Sequence, residues 1–245
     1  MTAPIPAAVK PVLALCRVSN LPTVWMNVLA AALLCGAPLQ ALQVALLALA
    51  MSCMYCGGMA LNDLYDLAHD RVHQPYRPIP AGRIGAARAW AVTGLLFMTG
   101  LALLPAAPHA AGVPAGLLLL AVIWLYDRFH KAHAASVLLM AGARLLVYVV
   151  TALALRGAVP APVWLAAALQ AAWVLALSVV ARADAGADTV EKNGRWRWPP
   201  VPYLIAAMPL VDGAVLLALV APGWLAAGVA GYALTRFGQR HVRGD

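Results

Sequence analysis

Asn62, Asp66 and Asp70 stand four residues apart in the segment Leu61-Asn62-Asp63-Leu64-Tyr65-Asp66-Leu67-Ala68-His69-Asp70-Arg71. On a helix each step of four advances about 6 Å and turns about 40°, so the three side chains form one stripe. Oxygen donors in such a row suit a hard cation such as Mg²⁺. Carboxylates at this spacing repel one another, and close to lipid each is costlier still, at roughly 2.5–3.5 kcal/mol at mid-membrane and less near the interface. A bound cation offsets both costs. Asp63 lies off the stripe and reads as a solvated helix end. Asp184 and Asp188 repeat the spacing of four farther along, with Glu191 one turn on and Lys192, Arg195 and Arg197 after it. The rigid basic loop from Gln74 to Arg83 follows the first stripe. Its Arg77 and Arg83 either sit over an anion or merely fix the orientation of the chain.

The elements that position these residues are apolar. Of the 245 residues, 64% are hydrophobic and 11% charged, against roughly a quarter charged in a soluble domain. Polar side chains are too few to wet the surface of a globule this size, and lipid must cover the remainder. Stretches long enough to span occur at about 12–36, 39–63, 86–106, 111–127, 134–155, 162–182, 200–220 and 222–238. The expected fold is therefore all-α: one polytopic transmembrane bundle of about eight helices, or nine, occupying residues 1–245. The first apolar run reads as an uncleaved signal anchor, since the N-terminus lacks the features of a cleaved leader.

The net charge of +8 does not point to nucleic acid, because the basic residues sit in short loops between apolar runs. With eight spans, every Lys and Arg except Arg144 and Arg156 falls on one side. That asymmetry marks the cytoplasmic face, so both termini are expected there, in an inner (cytoplasmic) membrane of bacterial type. Both acidic segments follow even-numbered spans and reach the same face, and Asp127 joins them. Cys53 and Cys56 form a CxxC inside an apolar helix, with no second pair to complete a zinc site, and read as small apolar residues. Trp124, Tyr126, Trp196 and Trp198 read as an interfacial belt. Arg144 and Asp212 fall within spans, where a charge is either functional or half of a structural pair.

Two carboxylate stripes with basic residues between them describe a diphosphate site, in which cations bridge carboxylates to phosphate oxygens and Arg or Lys takes up the remaining charge. A greasy cavity behind such a mouth suits the tail of an isoprenyl diphosphate.

These residues resemble the UbiA family of intramembrane prenyltransferases. Its NxxxDxxxD motif is matched by Asn62, Asp66 and Asp70, and its following Arg-Pro and Gly turn by Arg77-Pro78 and Gly82. Its DxxxD is matched by Asp184 and Asp188. Arg17-Val18-Ser19-Asn20-Leu21-Pro22 is similar to the family's first helix, and Tyr126 with Lys131 to its Tyr-x-x-x-x-Lys element. The resemblance runs from about residue 12 to 197, and Gly57-Gly58-Met59-Ala60-Leu61-Asn62-Asp63 is similar to the EboC-like branch. Two departures stand out: eight spans where the family usually has nine, and an alanine-rich second motif.

The resemblance implies a helical bundle whose central cavity opens to lipid, Mg²⁺ as cofactor, and transfer of a prenyl group to a small, often aromatic, acceptor. It places Asn62, Asp66, Asp70, Asp184 and Asp188 on the metal. Arg17, Asn62, Arg77, Arg83, Tyr126 and Lys131 are placed on the substrate. The alternative from a different class is a membrane transporter or non-catalytic binder of an anionic or isoprenoid metabolite, which would also carry intramembrane charge and a cavity.

Overall fold

The structure, a computed structural model, describes residues 9–131, 133–187 and 201–242, without the side chains of Ala134 and residues 183–187. Eleven α-helices follow one another among these residues: α1 Lys10–Leu15, α2 Leu21–Leu34, α3 Ala41–Tyr65, α4 Leu67–His73, α5 Ala86–Leu103, α6 Gly112–Phe129, α7 Val137–Arg156, α8 Ala161–Ala187, α9 Val201–Ala206, α10 Met208–Leu219 and α11 Leu225–His241. Six segments are long and apolar enough to cross a membrane: Ala41–Tyr65, Ala86–Ala106, Gly112–Phe129, Val137–Arg156, Ala161–Arg182 and Val201–Leu219. The expected first and last spans are helical too, but Val18–Leu34 is shorter and α11 has only 17 residues.

Two expected spans are interrupted, both at proline. Residues 12–36 divide into α1 and α2 around a 3-10 turn at Val18–Asn20, and α2 starts with Pro22 in its first turn. Pro22 has no N–H to give to the carbonyl four residues back, and its ring crowds that carbonyl. Pro209 does the same at the start of α10, so the span over 201–219 is split at Ala207. Arg17, beside the first break, is the one non-glycine residue with positive φ among those described (φ 43°). A left-handed residue with a Cβ costs on the order of 1–3 kcal/mol and persists only where its surroundings hold it.

Helix α3 is the centre of the bundle. Its most apolar stretch is 61% buried, against 28% for α5 and α6. It packs on α2, α5 and α6, while α7 packs on α6 and α8, and α10 on α11. Without a hydrophobic difference between protein and lipid, such contacts rest on close packing of small residues. A Cβ on Gly57 would lie 2.7 Å from the Phe97 ring, and one on Gly213 only 3.0 Å from the Cα of Gly228. Outward-facing Leu42, Leu95, Met98, Leu138 and Val179 stay exposed, as expected of residues that face lipid tails.

A polar cluster crosses the apolar core. Asn27 of α2 donates through Nδ2 to the Asp212 carboxylate at 2.7 Å and to the Tyr148 hydroxyl at 2.8 Å. Its Oδ1 accepts from Arg144 at 2.9 Å, and the Tyr148 hydroxyl donates to Asp212. Asn27, Tyr148 and Asp212 are all buried. Of the two readings that the sequence left open for Arg144 and Asp212, functional charges or a structural pair, a direct pair is not found: an asparagine stands between the two charges, and no Arg144 ion pair occurs among the described residues.

Candidate active site

The backbone N–H of Asp66 bonds to Asn62 O at 2.9 Å, and that of Asp70 to Asp66 O at 2.8 Å. The helical ladder therefore carries the motif across the break between α3 and α4, and its spacing of four is real in space. The stripe nevertheless divides. Each residue turns the helix by about 100°, so Asp70 lies about 80° from Asn62 but only about 20° from Asp63. Asn62 and Asp66 face the end of α6: Asn62 Nδ2 donates to Asp127 Oδ1 at 3.1 Å, and Asp66 meets Lys131 Nζ at 2.8 Å and His130 Nε2 at 3.2 Å. Asp63 and Asp70 form the other face.

On that second face Asp63 is no solvated helix end. It is 2% exposed and binds Arg17 at 3.0 Å and Arg77 at 3.2 Å. Asp70 takes Arg77 at 2.7 Å. The expectation is corrected by geometry: a position off one stripe lies on the face that the stripe drifts onto. Arg17 also points Nη1 at Met59 Sδ, 3.0 Å away, so α3 holds this residue in its strained conformation by two contacts. Arg83 lies apart from the others. It is exposed, donates to the carbonyl of Tyr76 within its own loop, and does not line the cavity described below.

His130 did not stand out in the sequence, since a histidine at the end of an amphipathic run is usually unremarked. It stacks on Tyr126 with ring centroids 5.2 Å apart and pairs with Asp66. Burial pushes the Asp66 carboxyl up, but hydrogen bonds from His130 and Lys131 outweigh it and hold the group below its ordinary value. The bond to Asp66 raises His130 against the opposing effect of burial.

The signs of these shifts give a pH prediction for the metal-free protein. Asp66 contributes stability present above its unfolded pKa of about 3.9, and loses it as pH falls through the lowered folded value. His130 contributes stability present below about 6.5 and loses it as pH rises through the raised value. Thermal stability in chelator-treated detergent solution should therefore pass through a plateau between those limits. His130→Gln should flatten the alkaline decline and only shrink the acid one, since Lys131 still holds Asp66 down. An unchanged alkaline decline in that variant would assign it to another group.

These residues stand at the polar mouth of a cavity of about 570 Å³. Arg17, Asn62, Arg77, Tyr126, Asp127 and His130 line the mouth; Val24, Met51, Met54, Leu119, Ile123 and Val147 line its depth. Gly58 lies in the wall, where a Cβ would approach Ile123 to 3.1 Å. The C-terminal end of α8 reaches the cavity at Ala181 and Arg182. Asp184 lies two residues beyond on the same helix with its side chain not described, and Asp188 lies outside the described residues. Among the described residues no three carboxylate, imidazole or thiol side chains converge as a metal cluster. The donor set does fit a hard cation. Buried Asp127 Oδ2 lacks a hydrogen-bond partner among the described residues, Asn62 donates to the other oxygen of that carboxylate, and Asp66 lies one turn from Asn62.

Comparison with known proteins agrees with this architecture. The chain is 42% identical over 60 residues to the digeranylgeranylglyceryl phosphate synthase of Saccharolobus solfataricus, a stretch that is 24% of this chain and 21% of that one. It is 51% identical over 49 residues to the synthase of the same name from Methanococcus maripaludis, 20% of this chain and 18% of that one. The matched stretches thus span only about a fifth of those relatives. A UbiA homolog from Archaeoglobus fulgidus, solved bound to DMAPP and Mg²⁺, superposes with a TM-score of 0.62 at 19% identity, covering 94% of this chain and 98% of that one. One from Aeropyrum pernix K1 gives 0.60 at 17% identity, with 92% and 97% covered. At this identity the superpositions speak for the fold. The model of the UbiA prenyltransferase family matches residues 20–242, and a match over nearly the whole chain, on a multi-pass helical membrane fold, establishes that the protein belongs to the UbiA prenyltransferase family.

Proposed function

We propose that the chain transfers an isoprenyl group from a prenyl diphosphate to an acceptor inside the membrane, as one catalytic domain, with Mg²⁺ at the cavity mouth. The observation that carries this reading is the gathering of Asp63, Asp66, Asp70 and Asp127 with Arg17, Arg77, His130 and Lys131 at one end of a largely apolar cavity, which Arg17, Arg77, Asp127 and His130 line. Prenyl diphosphates have that same division, an anionic head on a hydrocarbon tail.

Asn62 and Asp66 would hold the metal, with Asp70, Asp184 of α8 and Asp188 completing the set. When bound, Mg²⁺ neutralises charge that grows on the diphosphate as the allylic C–O bond breaks. Arg17, Arg77 and Lys131 take further phosphate oxygens, and Asp63 orients the two arginines toward the mouth. Tyr126 and the methionine- and valine-lined depth keep water from the carbocation. Arg83 keeps a role in shaping its loop, and none on the substrate. The solved Archaeoglobus fulgidus relative bound to DMAPP and Mg²⁺ and another bound to GPP and Mg²⁺ support the donor. The acceptor is small. The synthases named for digeranylgeranylglyceryl phosphate favour one of glyceryl-phosphate type over an aromatic ring. The positive loops favour a cytoplasmic mouth and cytoplasmic termini; the named relatives come from archaea, and no bacterial membrane is proposed.

The test is incubation of the purified chain with a panel of prenyl diphosphates, with and without Mg²⁺, following diphosphate release and the alkylated acceptor by mass spectrometry. Mg²⁺-dependent release with product is expected. Passage of an intact prenyl diphosphate or another anion across proteoliposomes with no turnover would establish the transporter instead.

A further inference from the structure

Arg144 is part of the cavity wall, but it stands well away from the mouth. It is the eighth residue of α7, which at about 1.5 Å per residue sets it roughly 10 Å along that helix from the end beside His130. Tyr55, another wall residue, is seven positions before Asn62 on α3, again two turns or about 10 Å deeper than the mouth.

The guanidinium is locked in place from one side. Asn27 uses both protons of its amide nitrogen, on Asp212 and on the Tyr148 hydroxyl, so its oxygen must face Arg144, which donates to it at 2.9 Å. Thr23 accepts a second bond at 3.1 Å, and Met208 Sδ a weak third at 3.5 Å. The Thr23 hydroxyl gives its own proton to Asn20 O, which confirms that it is the acceptor toward Arg144. An arginine has five N–H donors in a planar fork; the partners found among the described residues take three. The side chain is only partly buried, and the space it opens onto is the cavity. No carboxylate lies within ion-pair distance of it among the described residues. A cation held rigidly against a low-dielectric cavity, with donors unmatched and its nearest partners neutral, is a pre-formed receptor for an oxyanion.

We propose that Arg144 forms a deep subsite that binds a carboxylate or phosphate of the prenyl acceptor, with the Asn27–Tyr148–Asp212 chain as the support that fixes its orientation. The subsite rests on the transferase reading, because it presumes that the mouth holds the diphosphate. With the head group at the mouth and the acidic group about two helical turns deeper, the acceptor's nucleophile lies between them, against the allylic carbon.

The test uses the full chain in detergent with the mouth first filled by Mg²⁺ and geranylgeranyl S-thiolodiphosphate, a donor that does not readily ionise. Calorimetric binding is then measured for two acid and neutral pairs, benzoate with benzamide and glycerol 1-phosphate with glycerol. At least one acid should bind about tenfold tighter than its neutral partner, a difference in binding free energy that one buried ion pair readily supplies. Which pair shows the preference tells carboxylate from phosphate. Arg144→Gln, which keeps a donor for Asn27, should bring the ratio to within about twofold while thiolodiphosphate binding persists, and Arg144→Lys should keep part of the preference. Equal binding within both pairs in the wild type overturns the subsite, and so does a preference that survives in Arg144→Gln. Should Arg144→Gln fail to fold, the wild-type comparison decides alone. Failure of the thiolodiphosphate to bind in Mg²⁺ is a different result, which defeats the transferase reading and the subsite with it.

Discussion

Asp66→Asn is expected to slow Mg²⁺-dependent diphosphate release by about 10²–10³-fold, the loss typical when one preorganised group that stabilises transition-state charge is removed. Three observations make Asp66 the most sensitive position at the mouth. It is buried, one helical turn from Asn62, on the face of the stripe that meets Asp127. It faces Asn62 and Asp127, not the arginine pair, and both cations beside it, His130 and Lys131, come from the end of α6. Its carboxylate stays ionised to low pH, as a metal ligand must. Asp63→Asn is the informative contrast. Asp63 touches Arg17 and Arg77 and is spoken for by them, so its loss should raise KM for the prenyl diphosphate more than it lowers kcat. Steady-state kinetics on both variants, with melting curves to show that each is folded, separates the two. Turnover by Asp66→Asn at the wild-type rate would remove Asp66 from the site.

How far the sequence revealed this site is clearest from Asn62 and the three aspartates at and just beyond the end of α3. A spacing of four identified Asn62, Asp66 and Asp70, because composition made the surroundings apolar and a carboxylate there needs a reason. The same spacing concealed the division of the stripe, since a drift of about 40° per step is small over one interval and decisive over two. Asp63 was misplaced for that reason: its burial depends on Arg17, 46 positions earlier, which no local pattern can announce. His130 and Lys131 reached Asp66 by a contact across helices, and only Lys131 had a motif to mark it. The positions of the helices followed from apolar length, while the breaks at Pro22 and Pro209 did not, because prolines are tolerated inside many membrane helices. Asn27 was missed altogether: one amide in a run of Leu, Val and Ala carries no periodic signal, and its meaning comes from Asp212, 185 residues away.

Asn27→Leu should be the most destabilising single change in the bundle core, at between about 2 and about 5 kcal/mol. The lower figure counts three lost hydrogen bonds at the roughly 0.6 kcal/mol that such bonds average in membrane proteins. The upper figure applies if the loss leaves Arg144 and Asp212 as uncompensated charges, since breaking a buried ionic arrangement by removing one partner costs roughly 3–5 kcal/mol. The second term should dominate. Asn27 is fully buried, so water cannot take its place easily, and it is the group through which the two charges communicate. Tyr148→Phe provides the calibration: it removes the bonds to Asn27 and Asp212 but leaves Asn27 between the charges, and should cost only about 1 kcal/mol. Unfolding of both variants in mixed micelles, read as the shift in denaturant midpoint, gives the order directly. A cost for Asn27→Leu near about 2 kcal/mol would mean that the cluster is held by hydrogen bonds alone, with no charge carried through Asn27. A cost near the upper figure of about 5 kcal/mol would mean that the asparagine keeps an arginine and an aspartate apart and yet compensated, an arrangement that leaves one face of the guanidinium open to the cavity.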